Sequence, residues 1–104
     1  MRTSILQGKS LSVKELSLAD AKTLQTISVL SSQTNFKILQ LLSQEKLDIS
    51  TIAMRLKLSE PSISEGIKQL ENLQLVKTSY AAGKRGIRKV CELAIGKLIV
   101  TIKP

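Results

Sequence analysis

Apolar residues recur at helical spacing through the middle of the chain, over residues 47–75. In the second half of this stretch they follow at intervals of four, three and three, from Ile63 through Ile67 and Leu70 to Leu73. This spacing keeps one stripe of a helix apolar while the rest of its surface stays polar. The pattern therefore predicts an amphipathic helix that buries this stripe.

Polar residues and a proline mark where this helix begins and separate it from a shorter helix before it. Ser59 can cap the longer helix, and Pro61 then falls in its first turn, where a missing N–H costs nothing. The shorter helix can be capped by Ser50 or by Asp48. Two such helices joined by a tight turn predict a helix-turn-helix over residues 50–73.

The N-terminal part of the chain predicts an arm followed by a helix. Residues 1–16 alternate weakly, which fits a short hairpin, an arm that adds to a sheet, or a frayed terminus. The capping-box pattern at residues 17–20 opens a helix that extends to about Leu30. The residues expected on its buried side are Leu24, Ile27 and either Val29 or Leu30.

A second helix is predicted after a polar break at residues 31–33. Thr34 can cap this helix, which extends from Asn35 to about Gln44. The residues expected to be buried are Phe36, Ile38, Leu39 and Leu42. With the helix-turn-helix, the chain up to residue 74 therefore predicts four helices.

Beyond the last helix the apolar residues change to the alternation typical of strands. Residues 75–80 and 87–93 are rich in residues that favour strands, and residues 81–86 between them contain two glycines. These stretches predict a β-hairpin. Its tip carries two adjacent cations, Lys84 and Arg85.

The order of these elements predicts a winged helix-turn-helix, an α+β fold that is mostly helical with a basic β-hairpin as its wing. A chain of 104 residues suits one domain. Its predicted parts are an N-terminal arm over 1–16, helices over 17–74, the wing over 75–93, and a C-terminal strand or dimer extension over 94–104. Alternation near the end favours the strand, with a short helix over 94–99 as the alternative.

The charge of the chain points to an anionic partner. Sixteen basic residues against eight acidic ones give a net charge of +8, and the segment from Lys77 to the end holds seven basic residues and one acid. The second helix of a helix-turn-helix lies in the major groove of DNA. Double-stranded DNA is therefore the predicted partner. The first helix has apolar residues on more than one side, which predicts a homodimer built from the two ends of the chain.

The polar side of the second helix of the helix-turn-helix is the first candidate for DNA contact. Ser, Gln, Lys and Glu side chains can all bond to base edges. The residues predicted on this side are Glu60, Pro61, Ser62, Ser64, Glu65, Lys68 and Gln69. Together with Glu71, this helix carries three acids and one base, so its carboxylates must reach bases, favour the helix N-terminus, or turn away from phosphates.

The wing is the second candidate. Lys84 and Arg85 fit contact with phosphates or insertion of the arginine into a narrow minor groove. Lys57 and Lys77 are secondary candidates for phosphate contact. Arg88 is also a candidate, although Arg88 and Lys89 lie on opposite faces of a strand and at most one of them shares the tip's surface.

Several classes of function and site are excluded by residue content. A single cysteine, Cys91, cannot form an internal disulfide, and its apolar context predicts a core residue rather than a redox switch. Without histidine, the chain lacks the ligands for a thiolate or imidazole metal site, and no cofactor is expected. No spacing of acids or glycine-rich loop indicates an enzyme. No apolar run approaches the roughly 18 residues of a membrane span, and the absence of a secretory signal predicts a cytoplasmic protein.

The sequence resembles the ArsR-type winged-helix transcription regulators, particularly the small archaeal ones. The similar stretches are LSSQTNFKILQLL, STIAMRLKLSEPSISEGIKQLENLQLV and GKRGIRKVCEL, within residues 19–93. Asn35 stands where the family often has Arg, and Lys57 and Gln74 stand where it favours Gly, so both are expected to adopt a positive φ. The resemblance implies sequence-specific binding of DNA by a homodimeric regulator. It does not carry over the metal sensing common in this family, because the ligands are missing.

Two other functions fit the same elements. A winged helix can also serve as an adaptor for another protein, and three glutamates on the presumed reading helix suit that role. A non-specific architectural DNA-binding protein would use the positive charge alone.

Overall fold

Four helices and five strands make up residues 11–103, the part of the chain that the computed structural model describes. In chain order the elements are β1 (Ser12–Ser17), α1 (Lys22–Leu30), α2 (Gln33–Leu42), β2 (Leu47–Asp48), α3 (Ile49–Leu56), α4 (Glu60–Asn72), β3 (Val76–Gly83), β4 (Gly86–Leu93) and β5 (Ile95–Thr101). Helices α3 and α4 form the helix-turn-helix, and β3 and β4 form the wing. The predicted α+β winged helix-turn-helix is thus confirmed.

The core lies where α2, α3 and α4 meet the base of the wing. The predicted stripe of α4 is buried, with Ile63, Ile67 and Leu70 at 0% exposure. It packs into one cluster with residues of the other elements, among them Ile38, Ile52, Leu75, Val76 and Cys91. Burying a side chain of this size stabilises a fold by roughly 1.5–3 kcal/mol, so the stripe fixes which face of α4 remains outside.

The ends of α3 and α4 follow from local hydrogen bonds. The Ser59 hydroxyl accepts from the Ser62 N–H at 3.2 Å, which confirms the predicted cap of α4. Of the two alternatives for α3, Asp48 is the cap, and its carboxylate accepts from the Thr51 N–H at 2.9 Å. Lys57 ends α3 in the left-handed conformation, with a φ of 58°.

Gln74, which follows α4, is the second residue other than glycine that has a positive φ. Gln74 has a φ of 63°, so both positions where the family favours glycine adopt a positive φ, as predicted. A non-glycine residue in this region carries a modest conformational cost. Lys57 is the C-cap of α3 and Gln74 follows the C-cap of α4, so both residues lie where a helix ends.

The wing belongs to a three-stranded antiparallel sheet in the order β2-β4-β3. Its register pairs Thr78 with Cys91 and Gly83 with Gly86. The strands are therefore longer than predicted, and the turn shrinks to the two residues 84 and 85. Gly86 has a φ of 114°, a conformation that other residues rarely adopt, which explains a glycine at this corner.

The C-terminal residues form the predicted strand, and the alternative of a short helix over 94–99 is wrong. Strand β5 does not join the wing but pairs parallel with β1, Lys14 opposite Leu98 and Leu16 opposite Val100. Residues 12–17 of the predicted arm thus add to a sheet. The rest of that arm, residues 1–10, lies outside the described residues.

The predicted start of the first helix is wrong. Ser17 ends β1, because it pairs with Thr101 of β5, and α1 begins only at Lys22. The Asp20 carboxylate accepts from the Lys22 N–H at 2.9 Å instead of completing a capping box. A tertiary pairing of distant strands has overridden a local capping signal.

The predicted buried side of the first helix is also wrong. Leu24 and Ile27 are 73% and 39% exposed, whereas Thr23 and Thr26 are 1% and 3% exposed. The Thr23 hydroxyl donates to the Ser17 carbonyl, and the Thr26 hydroxyl donates to the Lys22 carbonyl. Since both hydroxyls are satisfied by backbone carbonyls, these threonines can be buried and the larger apolar residues turn outward.

Helix α2 differs from its prediction in its cap and in one core residue. Ser32, not Thr34, caps it by accepting from the Asn35 N–H at 3.3 Å. Ile38 and Leu42 are buried and Leu39 packs against the core, as expected. Phe36, expected to be buried, is 55% exposed. The position one residue earlier, Asn35, faces the core in its place.

Candidate nucleic-acid interface

The outer face of α4 carries the residues predicted to contact DNA. All seven are exposed, from Glu60 in the first turn to Gln69 in the last. The helical geometry places Pro61, Glu65 and Lys68 opposite the buried stripe, since each is about half a turn away from it. Ser64 flanks them on one side. This row of exposed side chains lies on the α4 surface that is free of the core.

Two of the seven side chains have partners within the protein. The Ser62 hydroxyl accepts from the Ser59 hydroxyl at 2.9 Å. The Oε1 of Gln69 accepts from the Asn35 amide at 2.8 Å, and the same amide donates to the Val29 carbonyl at 3.0 Å. Because this oxygen is engaged, Gln69 has its NH₂ group left for another partner. A paired contact of a glutamine side chain with adenine requires both groups.

The acids of α4 do not all face outward. The Glu71 carboxylate accepts from the Thr78 hydroxyl at 2.6 Å and lies 3.8 Å from the Lys89 ammonium. It therefore ties the end of α4 to the base of the wing and does not lie on the outer face. Within residues 11–103, Glu65 forms no ion pair with Lys68. Of the three acids, only Glu60 and Glu65 remain on the exposed surface.

The wing tip presents its two cations beside the helix-turn-helix. Lys84 and Arg85 are exposed in the two-residue turn. The tip borders a cavity of about 810 Å³ that also includes Ser50 from the first turn of α3. The structure thus brings the basic tip together with the start of the helix-turn-helix on one concave surface.

Arg88 braces the wing against α3. Its guanidinium donates to Asp48 at 3.0 Å, and the Arg88 side chain is 54% exposed while that of Asp48 is 7% exposed. Hydrogen bonding by Thr51 lowers the pKa of Asp48 most, Arg88 lowers it further, and burial opposes both. Arg88 and Lys89 lie on opposite faces of β4, as predicted, because Lys89 faces Glu71.

The two secondary lysines lie in different places. Lys57 is exposed in the turn between α3 and α4. Lys77 is exposed at the base of the wing, where it pairs with Glu92 in the register. Lys84 lies seven positions after Lys77 along the hairpin, a distance of roughly 23 Å for extended strand. The structure therefore does not bring Lys77 together with the wing tip.

The same surface includes residues that the sequence did not predict to contact DNA. A groove of about 450 Å³ between α2 and α4 is lined by Ser32 and Thr34 together with Pro61 and Glu65. On the wing, Tyr80 and Ile87 are 69% and 77% exposed. Their strand register, shared with Cys91, places them on the α4 side of the hairpin and is a signal the sequence contained. The sequence contains no such signal for Ser32 and Thr34, because only the packing of α2 against α4 places them on this surface.

Cys91 and the acidic side chains are the candidates for other kinds of site. Cys91 is 0% exposed, which confirms it as a core residue, and burial raises the pKa of its thiol to about 11. Within residues 11–103, no three His, Cys, Asp or Glu side chains lie close enough to hold a metal ion. None of the helices in this part of the chain has the length and apolar character to cross a membrane.

A helix-turn-helix whose second helix exposes one face, followed by a basic β-hairpin, defines a winged-helix protein. Comparison with known families agrees with this class. Residues 32–78, which span α2 to the start of the wing, match the family model described as "Bacterial regulatory protein, arsR family". No curated protein sequence matches the chain.

Solved structures share the fold. HlyU from Vibrio cholerae N16961 is 22% identical with a TM-score of 0.63, and the match covers 74% of this chain and 79% of that one. The transcriptional regulator HlyU from Vibrio vulnificus CMCP6 is 22% identical with a TM-score of 0.59, over 71% and 73% of the two chains. A mutant of ZitR from Lactococcus lactis is 28% identical with a TM-score of 0.54, over 60% of this chain and 42% of that one.

Proposed function

We propose that this protein is an ArsR-type transcription regulator that binds double-stranded DNA sequence-specifically as a homodimer. The observation that carries the proposal is the exposed outer face of α4 in a helix-turn-helix whose first helix begins beside the basic wing tip. The family match over residues 32–78 supports it, as does the fold shared with a protein named a transcriptional regulator. In this proposal the whole chain is one winged-helix domain, acts in the cytoplasm, and has neither an enzymatic activity nor a metal effector.

The proposed binding mode places α4 in the major groove. An α-helix with side chains is about 10–12 Å across and fits a groove about 12 Å wide. Ser64, Glu65 and Lys68 would then meet base edges, because Glu65 and Lys68 lie opposite the buried stripe and Ser64 flanks them. Lys84 and Arg85 would contact the backbone or the adjacent minor groove, and Lys57 a phosphate near the turn.

The roles of the other candidates follow from their partners. Gln69 would act through its free NH₂ group, and Ser62 and Glu60 would lie at the helix N-terminus near the backbone. Arg88 would position the wing through Asp48 more than it would contact DNA itself. The resemblance to the small archaeal members of the family stays a prediction from the sequence.

Affinity selection from random duplexes tests this proposal most directly. A regulator of this kind enriches one motif, and the purified protein then binds that motif more tightly than a scrambled duplex at two salt concentrations. Binding without an enriched motif would favour the architectural protein, since charge contacts carry no sequence information. No binding to any duplex would favour the protein adaptor.

A pair of lysine variants separates base contact from phosphate contact. Lys68→Ala removes a side chain from the outer face of α4 and is expected to weaken the selected motif by about 1–3 kcal/mol while relaxing preference at one position. Lys57→Ala removes the same charge from the neighbouring turn and is expected to weaken all duplexes alike. Titration of both variants against the motif and against single-base changes measures the difference. Equal behaviour of the two variants would contradict base reading by Lys68.

A further inference from the structure

The two-stranded sheet of β1 and β5 is incomplete by itself. Its strands are parallel, and parallel sheets occur almost only where both faces are covered. Two strands alone are at best marginally stable in water. Yet Val13, Ile99 and Val100 in this sheet are 50%, 40% and 39% exposed. The sheet therefore has the properties of one part of a larger sheet.

One edge of this sheet offers unpaired backbone groups. The Thr101 carbonyl accepts from the Leu18 N–H at 3.0 Å, so Thr101 directs its backbone groups toward the β1 side. Since successive residues of a strand alternate in direction, Leu98 and Val100 direct their N–H and C=O groups away from β1. Within residues 11–103 no strand pairs with this side of β5. Such an edge is a template for another strand.

An apolar cavity adjoins β5. It has a volume of about 610 Å³ and is contributed by α1, α2, the end of the wing and β5 itself. Its apolar lining includes Ile27, Phe36, Leu39, Leu93, Ile95 and Leu98. Leu24, on the same helix as Ile27, is 73% exposed. The unpaired edge and the largest apolar residues that α1 and α2 expose are thus parts of one surface.

We infer that a second copy of this chain covers this surface by pairing its β5 antiparallel with β5 across a two-fold axis. The two sheets then form one four-stranded sheet in the order β1-β5-β5-β1, which removes the open edges at its centre. The copy's own α1 and α2 lie over the apolar cavity. This inference rests on the proposed function, which uses two copies to read two half-sites.

The sequence of the two strands decides which one lies at the axis. An axis through the middle of β1 would set Lys14 against Lys14 or Glu15 against Glu15, and like charges directly opposite one another are destabilising. An axis through Leu98 or Ile99 brings apolar residues together and sets no like charges directly opposite one another. Lys14 is also engaged, since its ammonium donates to the Leu73 carbonyl at 3.0 Å. Strand β5 is therefore the self-complementary edge.

A proline at the edge tests the pairing. Val100→Pro removes an N–H that points away from β1, at a position where an edge strand tolerates proline. Sedimentation equilibrium is expected to show a dimer for the wild type and self-association that is weaker by about tenfold or more for the variant. Val100→Thr, which keeps the N–H and the branched side chain, is the matched control and is expected to remain dimeric. Circular dichroism confirms that each variant keeps its helices.

Charge at the same position gives a second test that does not depend on proline. Val100→Lys and Val100→Glu each set like charges near the axis and are expected to be monomeric. An equal mixture of the two is expected to restore the dimer, because opposite charges then face each other. Two variants that each remain dimeric would overturn the inference.

Hydrogen exchange locates the edge directly. The amides of Leu98 and Val100 are expected to exchange slowly in the wild-type dimer and fast in the Val100→Lys monomer. Protection that persists in the monomer would show that another part of the same chain covers the edge, and the inference would be wrong. A wild type that is monomeric at every concentration would overturn it as well.

DNA binding, measured separately, distinguishes this inference from the proposed function. If Val100→Pro loses the dimer and the wild type binds no duplex, the proposed function fails while the β5 pairing stands. If the wild type selects a motif and Val100→Pro keeps the wild-type mass, the β5 pairing fails while the proposed function stands.

Discussion

Gly66 is the residue of α4 at which helix propensity and packing conflict. In a helix interior alanine is favoured over glycine by about 1 kcal/mol. A Cβ at this position, however, would clash with the Asn35 Oδ1 and lie 3.0 Å from the Ile38 Cδ1. Asn35 is held in place by its hydrogen bonds to Val29 and Gln69, so it cannot move aside cheaply.

Gly66→Ala is therefore expected to lower the free energy of unfolding by about 1–3 kcal/mol, as overpacking of a core does. Urea denaturation followed by circular dichroism measures this change. Ser64→Ala, on the exposed face of the same helix, is the control and is expected to change stability by less than about 0.5 kcal/mol. A Gly66→Ala variant as stable as the wild type would show that α2 yields to the added methyl group.

Asp48 predicts a pH dependence of stability. Because hydrogen bonding and Arg88 hold its pKa below the ordinary value of 3.8, the folded state favours the carboxylate. The contribution is fully present above that ordinary value and is lost as the pH falls through the lower pKa of the folded protein. Asp48→Asn can still cap α3 and is expected to cost about 1 kcal/mol at neutral pH, since water screens the half-exposed Arg88.

Unfolding of the wild type and of Asp48→Asn is measured between pH 2 and 7. The difference between them is expected to shrink below about pH 4. A difference that is constant over this range would mean that the carboxylate charge contributes nothing.

At the scale of elements, the placement of its three glutamates explains how the acidic helix α4 could lie close to DNA phosphates. Glu71 turns to the wing, where Thr78 and Lys89 contact it. Glu60 lies in the first turn, where the helix dipole favours a carboxylate. Only Glu65 stands among the residues opposite the buried stripe. The wing therefore has to provide most of the positive charge at the interface.

The wing tip predicts a salt dependence of DNA affinity. If Lys84 and Arg85 each contact one phosphate, replacing both with alanine removes about two counterions per subunit and flattens the slope of log K against log salt by about 1.8 per wing. Affinity is expected to fall for all sequences alike. Fluorescence anisotropy at several salt concentrations measures the slope.

A charge-matched control separates this effect from net charge. Lys22 and Lys103 are exposed and lie outside the candidate interface. Their double alanine variant is expected to leave the slope nearly unchanged, since phosphates would not contact them. Equal slopes for the two double variants would remove the wing from the interface.

At the scale of the whole molecule, the described part of the chain is elongated. Its extents are 50, 34 and 20 Å and its radius of gyration is 15.1 Å, whereas a compact domain of this length has about 13 Å. In the proposed dimer, this shape leaves both copies of α4 free for two half-sites about 34 Å apart.

The proposed dimer predicts that the spacing of half-sites is fixed. Inserting five base pairs between the halves of the selected motif turns the second half to the other side of the duplex and is expected to reduce affinity to that of one half-site. The same five base pairs added outside the motif are expected to have no effect. Titration of the two duplexes against the wild type checks the prediction. Tight binding to both would indicate that each copy reads its site alone.

The sequence by itself determined the helix-turn-helix, the cap by Ser59, the buried stripe of α4, and the basic hairpin, and it left the cap of α3 open between Ser50 and Asp48. These features depend on local physics, because capping, amphipathic spacing and turn residues act within a few positions of one another. The positive φ of Lys57 and Gln74 was predictable as well, from the places where glycine is missing. The exposed face of α4 was predictable for the same reason, since the residues opposite the buried stripe must face away from the core.

Only the tertiary structure decided how the ends of the chain and the polar contacts are used. Ser17 became part of a strand because β5, more than 80 residues away, pairs with it. Leu24, Ile27 and Phe36 face outward because Thr23, Thr26 and Asn35 occupy the buried positions instead. These polar side chains can be buried since each forms hydrogen bonds within the protein. The spacing of apolar residues cannot predict which face of a helix is buried when the buried residues are polar. Whether a polar residue can be buried depends on hydrogen-bond partners that lie elsewhere in the chain.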